Sequence, residues 1–378
     1  MKRFAPTTLL LGNFITGTSI IAPAGMLPEL ADEFGVTIRH AGLLITFGAV
    51  VLCIGSPMAA WLTSRFDRRV LLSVTVAIIA VAQFASALAP SYAVLMTVRL
   101  AMLAVAALFT PQAAGTAAMM VPPERRGSTI SYVFLGWALA LAIGLPLVTY
   151  IASHVGWRVA YSGIGVIALI NLVLLIWRIP TGLKGTPVDL KTWAELARNP
   201  LILLLLLITV LQTSGQFVVF TYLGPLFAHL GGNASLAIVA FGIYGATGLV
   251  GNIIASRVVD AWGAYRTSLT TMAVLLSGII VWALGAGFVP AMLAAMVLWG
   301  LGFSAATSMQ QVRLAGAAPS FASASVSLNT SSLYIGQAIG SGIGGMLFAQ
   351  ELYYAIGYVG VAFLVLALGA VVLTRRTR

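Results

Sequence analysis

Of the 378 residues, 60% are hydrophobic and only 8% are charged, with a formal net charge of +11. An ordinary soluble domain carries roughly 25% charge, so 20 basic and 9 acidic side chains cannot cover a water-facing surface of this size. A soluble globular protein is therefore excluded, and no nucleic-acid partner is expected, because no segment is long and polar enough to present an exposed basic patch.

A helix needs about 20 apolar residues to cross the hydrocarbon of a bilayer. Runs of that length, bounded by charge, Gly or Pro, fall at about 6–28, 40–62, 70–89, 92–119, 129–151 and 158–178, then at 200–223, 234–256, 267–287, 289–312, 321–347 and 353–373. Strands of a membrane barrel are about half as long and alternate, so the expected fold class is all-α, with twelve transmembrane helices. The first run, preceded by Lys2 and Arg3 and containing Ala22-Pro23-Ala24, also has the composition of a signal peptide. Its length and its counterpart in the second half favour a span.

Short cytoplasmic loops are enriched in Lys and Arg. Seventeen of the 20 basic residues fall on one side of this topology: Lys2, Arg3, Arg65, Arg68, Arg69, Arg125, Arg126, Arg178, Lys184, Lys191, Arg198, Arg257, Arg266, Arg313, Arg375, Arg376 and Arg378. Arg39 and Arg158 lie on the other side and Arg99 within a span. Both termini are expected in the cytoplasm, which requires an even number of crossings.

The halves repeat at an offset near 196 residues. Pro28 pairs with Pro225, Ser64 and Asp67 with Asp260 and Gly263, and Gly144 with Gly340. The expected domains are a six-helix bundle over 1–178, a cytoplasmic linker over 179–199 and a second bundle over 200–378. Halves related by an axis along the membrane normal suit alternating access, in which they rock about a site near the midplane. A membrane receptor or scaffold that kept the architecture without transport is the alternative.

The chain resembles, over its whole length, the major facilitator superfamily, in particular its twelve-span drug:proton antiporter branch with the sugar, nucleoside and drug efflux permeases. The family's loop after span 2 reads Gly-x-x-x-Asp-Arg-x-Gly-Arg-Arg. Here it is Ala60-Trp61-Leu62-Thr63-Ser64-Arg65-Phe66-Asp67-Arg68-Arg69, with Ser64 in place of the acid and Asp67 in place of the glycine. The second copy, Asp260-Ala261-Trp262-Gly263-Ala264-Tyr265-Arg266, keeps both. The resemblance implies that Arg65, Asp67, Arg68, Arg69, Asp260 and Arg266 hold the cytoplasmic faces together in one state, through acid–arginine pairing; inside-positive charge alone also accounts for the arginines. Arg99 resembles the family's span-4 arginine, although Leu103 replaces the usual glycine after it. It implies a partner or wet cavity there, against snorkelling to the outer interface. Gly136, Gly144 and Pro146 match the antiporter motif of span 5, and Gly336, Gly340, Gly342, Gly344 and Gly345 crowd span 11. Both spans are read as hinge helices at which small residues allow close approach. The turn Gly156-Trp157-Arg158 also looks like that of the efflux permeases.

In this family spans 1, 4, 7 and 10 line the cavity. The candidates are Asn13, Phe14, Thr16 and Arg99, then Gln212, Gln216, Tyr244, Trp299, Phe303, Tyr334 and Gln337, with Phe217 and Asn329 beside them. Interhelical hydrogen bonding would equally explain the amides. All nine acids lie at span ends or in loops, and the position of the Glu common in span 1 of related permeases falls on Ile20. A site without a buried acid favours neutral, zwitterionic or anionic solutes over organic cations, and leaves Glu29 and Asp32 as proton-coupling candidates.

The lone Cys53 and three scattered histidines, His40, His154 and His229, offer no disulfide, metal or catalytic cluster, so neither cofactor nor enzymatic activity is expected. The reading from sequence is a secondary active transporter of the bacterial inner membrane, working as a monomer. It exports a small organic solute with proton antiport; an uptake carrier or uncoupled facilitator is the alternative.

Overall fold

The computed structural model describes residues 5–63, 66–122, 126–184, 198–231, 233, 235–317 and 322–375. Spans 1 to 6 are Ala5–Ile21, Ile38–Thr63, Arg68–Ala87, Tyr92–Ala106 continued by Phe109–Met119, Arg126–Leu139 continued to His154, and Trp157–Arg178. Spans 7 to 12 are Pro200–Phe220, Leu236–Trp262, Ala264–Gly285, Val289–Ala317, Ala322–Ala349 and Tyr353–Leu373. Among the described residues, eleven helices are long and apolar enough to cross a membrane. Span 11, at 28 residues, has the length, but its Ser, Thr, Asn, Gln and Gly content lowers its hydropathy. It is sandwiched between spans 7 and 2, with Ile335, Ile339 and Met346 exposed along one side.

Local chemistry sets the ends and breaks. Asp67 caps span 3 by accepting from the backbone N–H groups of Arg69 and Val70, Ser91 caps span 4, and Asn199 caps span 7 ahead of Pro200. Span 4 breaks at Ala107–Leu108 because Pro111 has no N–H to offer the Ala107 carbonyl and its ring crowds that turn. Span 5 instead widens into a π turn over Ala140–Gly144, which absorbs Pro146 without ending the helix. Large apolar side chains such as Val81, Ile170, Trp177, Leu203 and Leu366 stay exposed, as lipid-facing residues do.

The two six-helix halves are built alike. Span 1 packs on span 5 and span 3 on span 6, while span 7 packs on span 11 and span 9 on span 12. The repeat extends to single contacts. Gly144 lies against the Thr18 side chain and Gly340 against the Ser214 carbonyl, with both members 196 residues apart. Asn13 bonds Val133 across spans 1 and 5, and Thr209 bonds Asn329 across spans 7 and 11, again 196 on.

The halves meet along two seams, span 2 on span 11 and span 5 on span 8. In the first, Thr46 and Ser341 hydroxyls bond at 2.8 Å, and Ser331 donates to the Cys53 carbonyl at 3.2 Å. In the second, Gly245 sits directly on the Ala142 backbone, so any Cβ there would drive the helices apart. Two short helices, Leu27–Phe34 and Leu223–Gly231, follow spans 1 and 7 and touch each other on the face opposite the linker.

Candidate functional site

At mid-depth in the first half, three spans are tied by one polar chain. The Asn13 amide donates to the Val133 carbonyl at 3.0 Å, its oxygen accepts from Thr110 at 2.9 Å, and Trp137 Nε1 donates to the same Thr110 hydroxyl at 3.0 Å. Asn13 is fully buried, so these bonds satisfy an amide that lipid could not. Thr110 stands two residues past the span-4 break, and the chain holds that kinked segment against spans 1 and 5. Phe14 is half-buried beside Gly144, and Thr16 is buried with its hydroxyl unpartnered.

In the second half, span 7 presents two amides on one face. Gln212 donates to Thr307 of span 10 at 3.1 Å and Gln216 to the Tyr244 hydroxyl of span 8 at 2.7 Å. Each keeps a buried, unpartnered carbonyl oxygen, and Asn329 keeps an unpartnered amide nitrogen. Around Tyr244 stand Phe220, Trp299 and Phe303, with ring centroids 5.0, 5.7 and 6.3 Å away. Trp299 is fully buried and also abuts Trp282 of span 9, so it lies inside the bundle rather than on its inner wall. Phe217 packs on Phe220. Half-buried Tyr334 and buried Gln337 ride on span 11, between spans 7 and 2.

Arg99 does not stand on a cavity wall. Its guanidinium is fully buried, donates to the Ser19 and Ile20 carbonyls at 3.3 Å and reaches the Tyr161 hydroxyl at 3.5 Å. These carbonyls belong to the last turn of span 1, where the α-helical ladder ends and the helix dipole favours a cation. The charge is thus seated within the first half without a carboxylate.

The loop after span 2 has a different role for its aspartate than acid–arginine pairing. Asp67 caps span 3 and also accepts from the Gly182 N–H, while the Arg68 N–H donates to the Leu183 carbonyl at 2.9 Å. Two backbone contacts therefore pin the start of the linker to this loop. Arg68 is buried, Arg69 half-buried and Arg266 exposed. Arg65 and the Asp260 side chain lie outside the described residues. Among the described residues one ion pair forms, Arg158 with Glu33 at 2.6 Å, at the ends of spans 1 and 6 away from the linker.

Gly136 meets the Leu10 carbonyl and Asn13, and Gly344 meets the Val218 carbonyl, so these glycines of spans 5 and 11 serve contacts inside each half, while Gly342 faces Thr46 across the seam. Pro146 approaches Gly242 of span 8 across the seam. Of the proton-coupling candidates, Asp32 is exposed. Glu29, on Leu27–Phe34, is half-buried with one carboxyl oxygen enclosed and unpartnered. Burial raises its pKa above the ordinary value, and the nearby Asp32 charge adds to the rise.

Thr110, Trp137, Thr307 and Gly245 were not marked from sequence. Gly242, Gly245, Gly248 and Gly251 recur at every third position of span 8, a signal open to reading. A threonine or tryptophan in a span carries no such mark until its partner is known.

Comparison with known proteins agrees with this architecture. The family model of the Major Facilitator Superfamily matches residues 9–327. The MFS-type transporter YbcL of Bacillus subtilis (strain 168) is 28% identical over 95% of this chain and 93% of its own. A probable sugar efflux transporter of Mannheimia succiniciproducens is 26% identical over 95% and 91%, and the inner membrane transport protein YdhP of Escherichia coli (strain K12) 28% over 92% and 89%. Among solved structures, a D-xylose-proton symporter superposes with a TM-score of 0.76 at 16% identity, covering 96% of this chain and 97% of that one. A peptide transporter gives 0.79 at 16%, over 99% and 94%. With twelve helices in two like halves and a family match over most of its length, this multi-pass membrane protein belongs to the Major Facilitator Superfamily of solute transporters.

Proposed function

We propose that this protein is a secondary active exporter of a small organic solute in the bacterial inner membrane. Its halves would rock along the 2–11 and 5–8 seams. The observation that carries the choice of solute is the pair of span-7 amides, Gln212 and Gln216, whose buried carbonyl oxygens await a donor while no acid occupies mid-depth. Amide oxygens accept from hydroxyl and amine N–H or O–H groups without supplying a full negative charge, so a neutral, hydroxyl-bearing solute fits better than an organic cation. The likeness to a probable sugar efflux transporter supports the same class and direction.

Proton antiport is assigned to Glu29, an acid with an enclosed, unpartnered oxygen on the first of the two short helices. Solute counterflow in proteoliposomes under an imposed pH gradient tests the whole reading. Export should quicken when the outside is acidic and respond to neutral hydroxylated solutes in a competing panel. Flux indifferent to the gradient would leave a facilitator, and competition only by organic cations would overturn the solute class.

A further inference from the structure

The interior of the first half is polar where that of the second is not. Gln83 of span 3 is fully buried, and neither atom of its amide has a hydrogen-bond partner. The hydroxyls of Ser19 and Ser86 and the Nε of Arg99 are buried and unpartnered as well. The repeat supplies a control within the same chain. At 196 residues on, Ser19 becomes Gly215, Gln83 becomes Ile279, Ser86 becomes Trp282, Arg99 becomes Ala295 and Tyr161 becomes Gly357. All five are buried. The fold therefore closes this region with apolar or small residues where it holds no cation, and gathers polar ones where it does.

The arginine has a reason to need them. Its two terminal nitrogens contact only neutral acceptors at 3.3–3.5 Å, the long end of hydrogen-bond range, and no carboxylate pairs with it among the described residues. A full charge out of water is costly unless something solvates it. Spans 3 and 6 are registered by Phe84, whose ring stands 3.0 Å from where a Cβ on Gly165 would be. Gly165 is one turn along span 6 from Tyr161, the arginine's hydroxyl partner, so Phe84 and its neighbour Gln83 lie within about one helical turn of the Tyr161 level.

We propose that Gln83, Ser86 and Ser19 form a hydration site that holds buried water against the Nε edge of Arg99. Such a water makes about three hydrogen bonds to groups that otherwise lack them; a carboxamide, two hydroxyls and the Nε–H provide both donors and acceptors. The water stands in for the missing counterion. It keeps the arginine charged and fastened to the carbonyl end of span 1, the point from which the chain runs on to Glu29.

A double-mutant cycle read by thermal unfolding of the full-length protein tests this. Gln83→Ile installs the residue the second half uses. It should lower the midpoint by a few degrees in the wild type, yet leave it unchanged or raised in an Arg99→Met background. Asn171→Ala serves as the control, because Asn171 is buried and unpartnered but ten residues, about 15 Å, along span 6 from Tyr161. Its effect should be the same in both backgrounds. A midpoint raised by Gln83→Ile in the wild type would mean a dry, unpaired amide and would overturn the proposal, as would equal shifts in the two backgrounds. If Arg99→Met does not accumulate, Gln83→Glu decides: a carboxylate in the hydration site supplies the counterion and keeps the midpoint at or above wild type at neutral pH, and a lower midpoint counts against the site.

Discussion

Gln216 donates its amide N–H to the Tyr244 hydroxyl at 2.7 Å inside the second half, while its own carbonyl oxygen stays buried and unpartnered. The pair separates recognition from packing. Tyr244→Phe removes one hydrogen bond, worth about 1 kcal/mol net, and strands the Gln216 N–H, so it should lower the thermal midpoint. Gln216→Ala removes the unpartnered oxygen as well, and should raise the half-saturating solute concentration about tenfold, equivalent to roughly 1.4 kcal/mol. Counterflow titrations of both variants check this. Equal loss of midpoint with unchanged half-saturation in both would make Gln216 a packing residue.

The Asn13–Thr110–Trp137 chain invites a different experiment, because its polar atoms satisfy one another. Asn13→Ala breaks two bonds and leaves the Thr110 hydroxyl without its acceptor in a dry interior, while the Val133 carbonyl keeps its helical position, a loss of about 1–3 kcal/mol. Asn13→Ser, with a shorter hydroxyl, should recover little of it. Unfolding in detergent should show both variants destabilised with solute half-saturation within about twofold of wild type; a selective loss of affinity would move Asn13 into the solute site.

The twelve spans and the repeat could be read from apolar runs and their spacing, since lipid tolerates few exceptions to the length of an apolar run. Residue roles were less legible. Arg99 was visible as a cation in a span, but its partners are the backbone carbonyls of Ser19 and Ile20, and a carbonyl has no signature in sequence. Asp67 looked like a departure from a glycine motif. Its function as a cap on span 3 and a tether for Gly182 depends on where the linker returns, more than a hundred residues later. The glycines of spans 5 and 11 were visible as small residues, whereas the helix each one meets follows from crossing geometry.

Gly245 shows the consequence of that geometry. Its backbone rests on Ala142 of span 5, which is backbone too and cannot swing aside as a long side chain could. Gly245→Ala should separate spans 5 and 8 by the width of a methyl group and, if the halves rock along this seam as proposed, slow transport at least tenfold with the solute still bound. Gly163→Ala, at a glycine with open space around it, should leave the rate unchanged. Equal rates for both variants would remove the 5–8 seam from the moving parts.

The tether at Asp67 makes a graded prediction. Asp67→Ala loses the cap on span 3 and the linker contact together, and should cost about 1–2 kcal/mol of stability. Asp67→Asn keeps an oxygen able to cap and should lose less than half as much. Limited proteolysis provides the second reading: cleavage within 179–199 should accelerate in both variants, because Asn has one acceptor oxygen, which the cap uses, and turns an amide NH2 toward the Gly182 N–H. A linker as protected in both variants as in wild type would show that Asp67 acts on span 3 alone.

Glu29 connects stability to pH in a direction set by its surroundings. Burial first, and the charge of Asp32 second, raise its pKa above the ordinary 4.5. The folded protein therefore binds this proton more tightly than the unfolded chain does. The stabilisation is fully present below about 4.5 and is lost as pH rises through the higher folded-state value. Glu29→Gln mimics the protonated form at every pH. Its thermal midpoint should fall less than that of wild type between pH 4.5 and neutrality, and the two curves should converge at the acid end. The same variant should transport at a rate independent of an imposed pH gradient. If its midpoint tracks wild type across this range, the carboxyl is not enclosed in solution; if the midpoint flattens but gradient-driven flux persists, Glu29 titrates with folding and the coupled proton travels elsewhere.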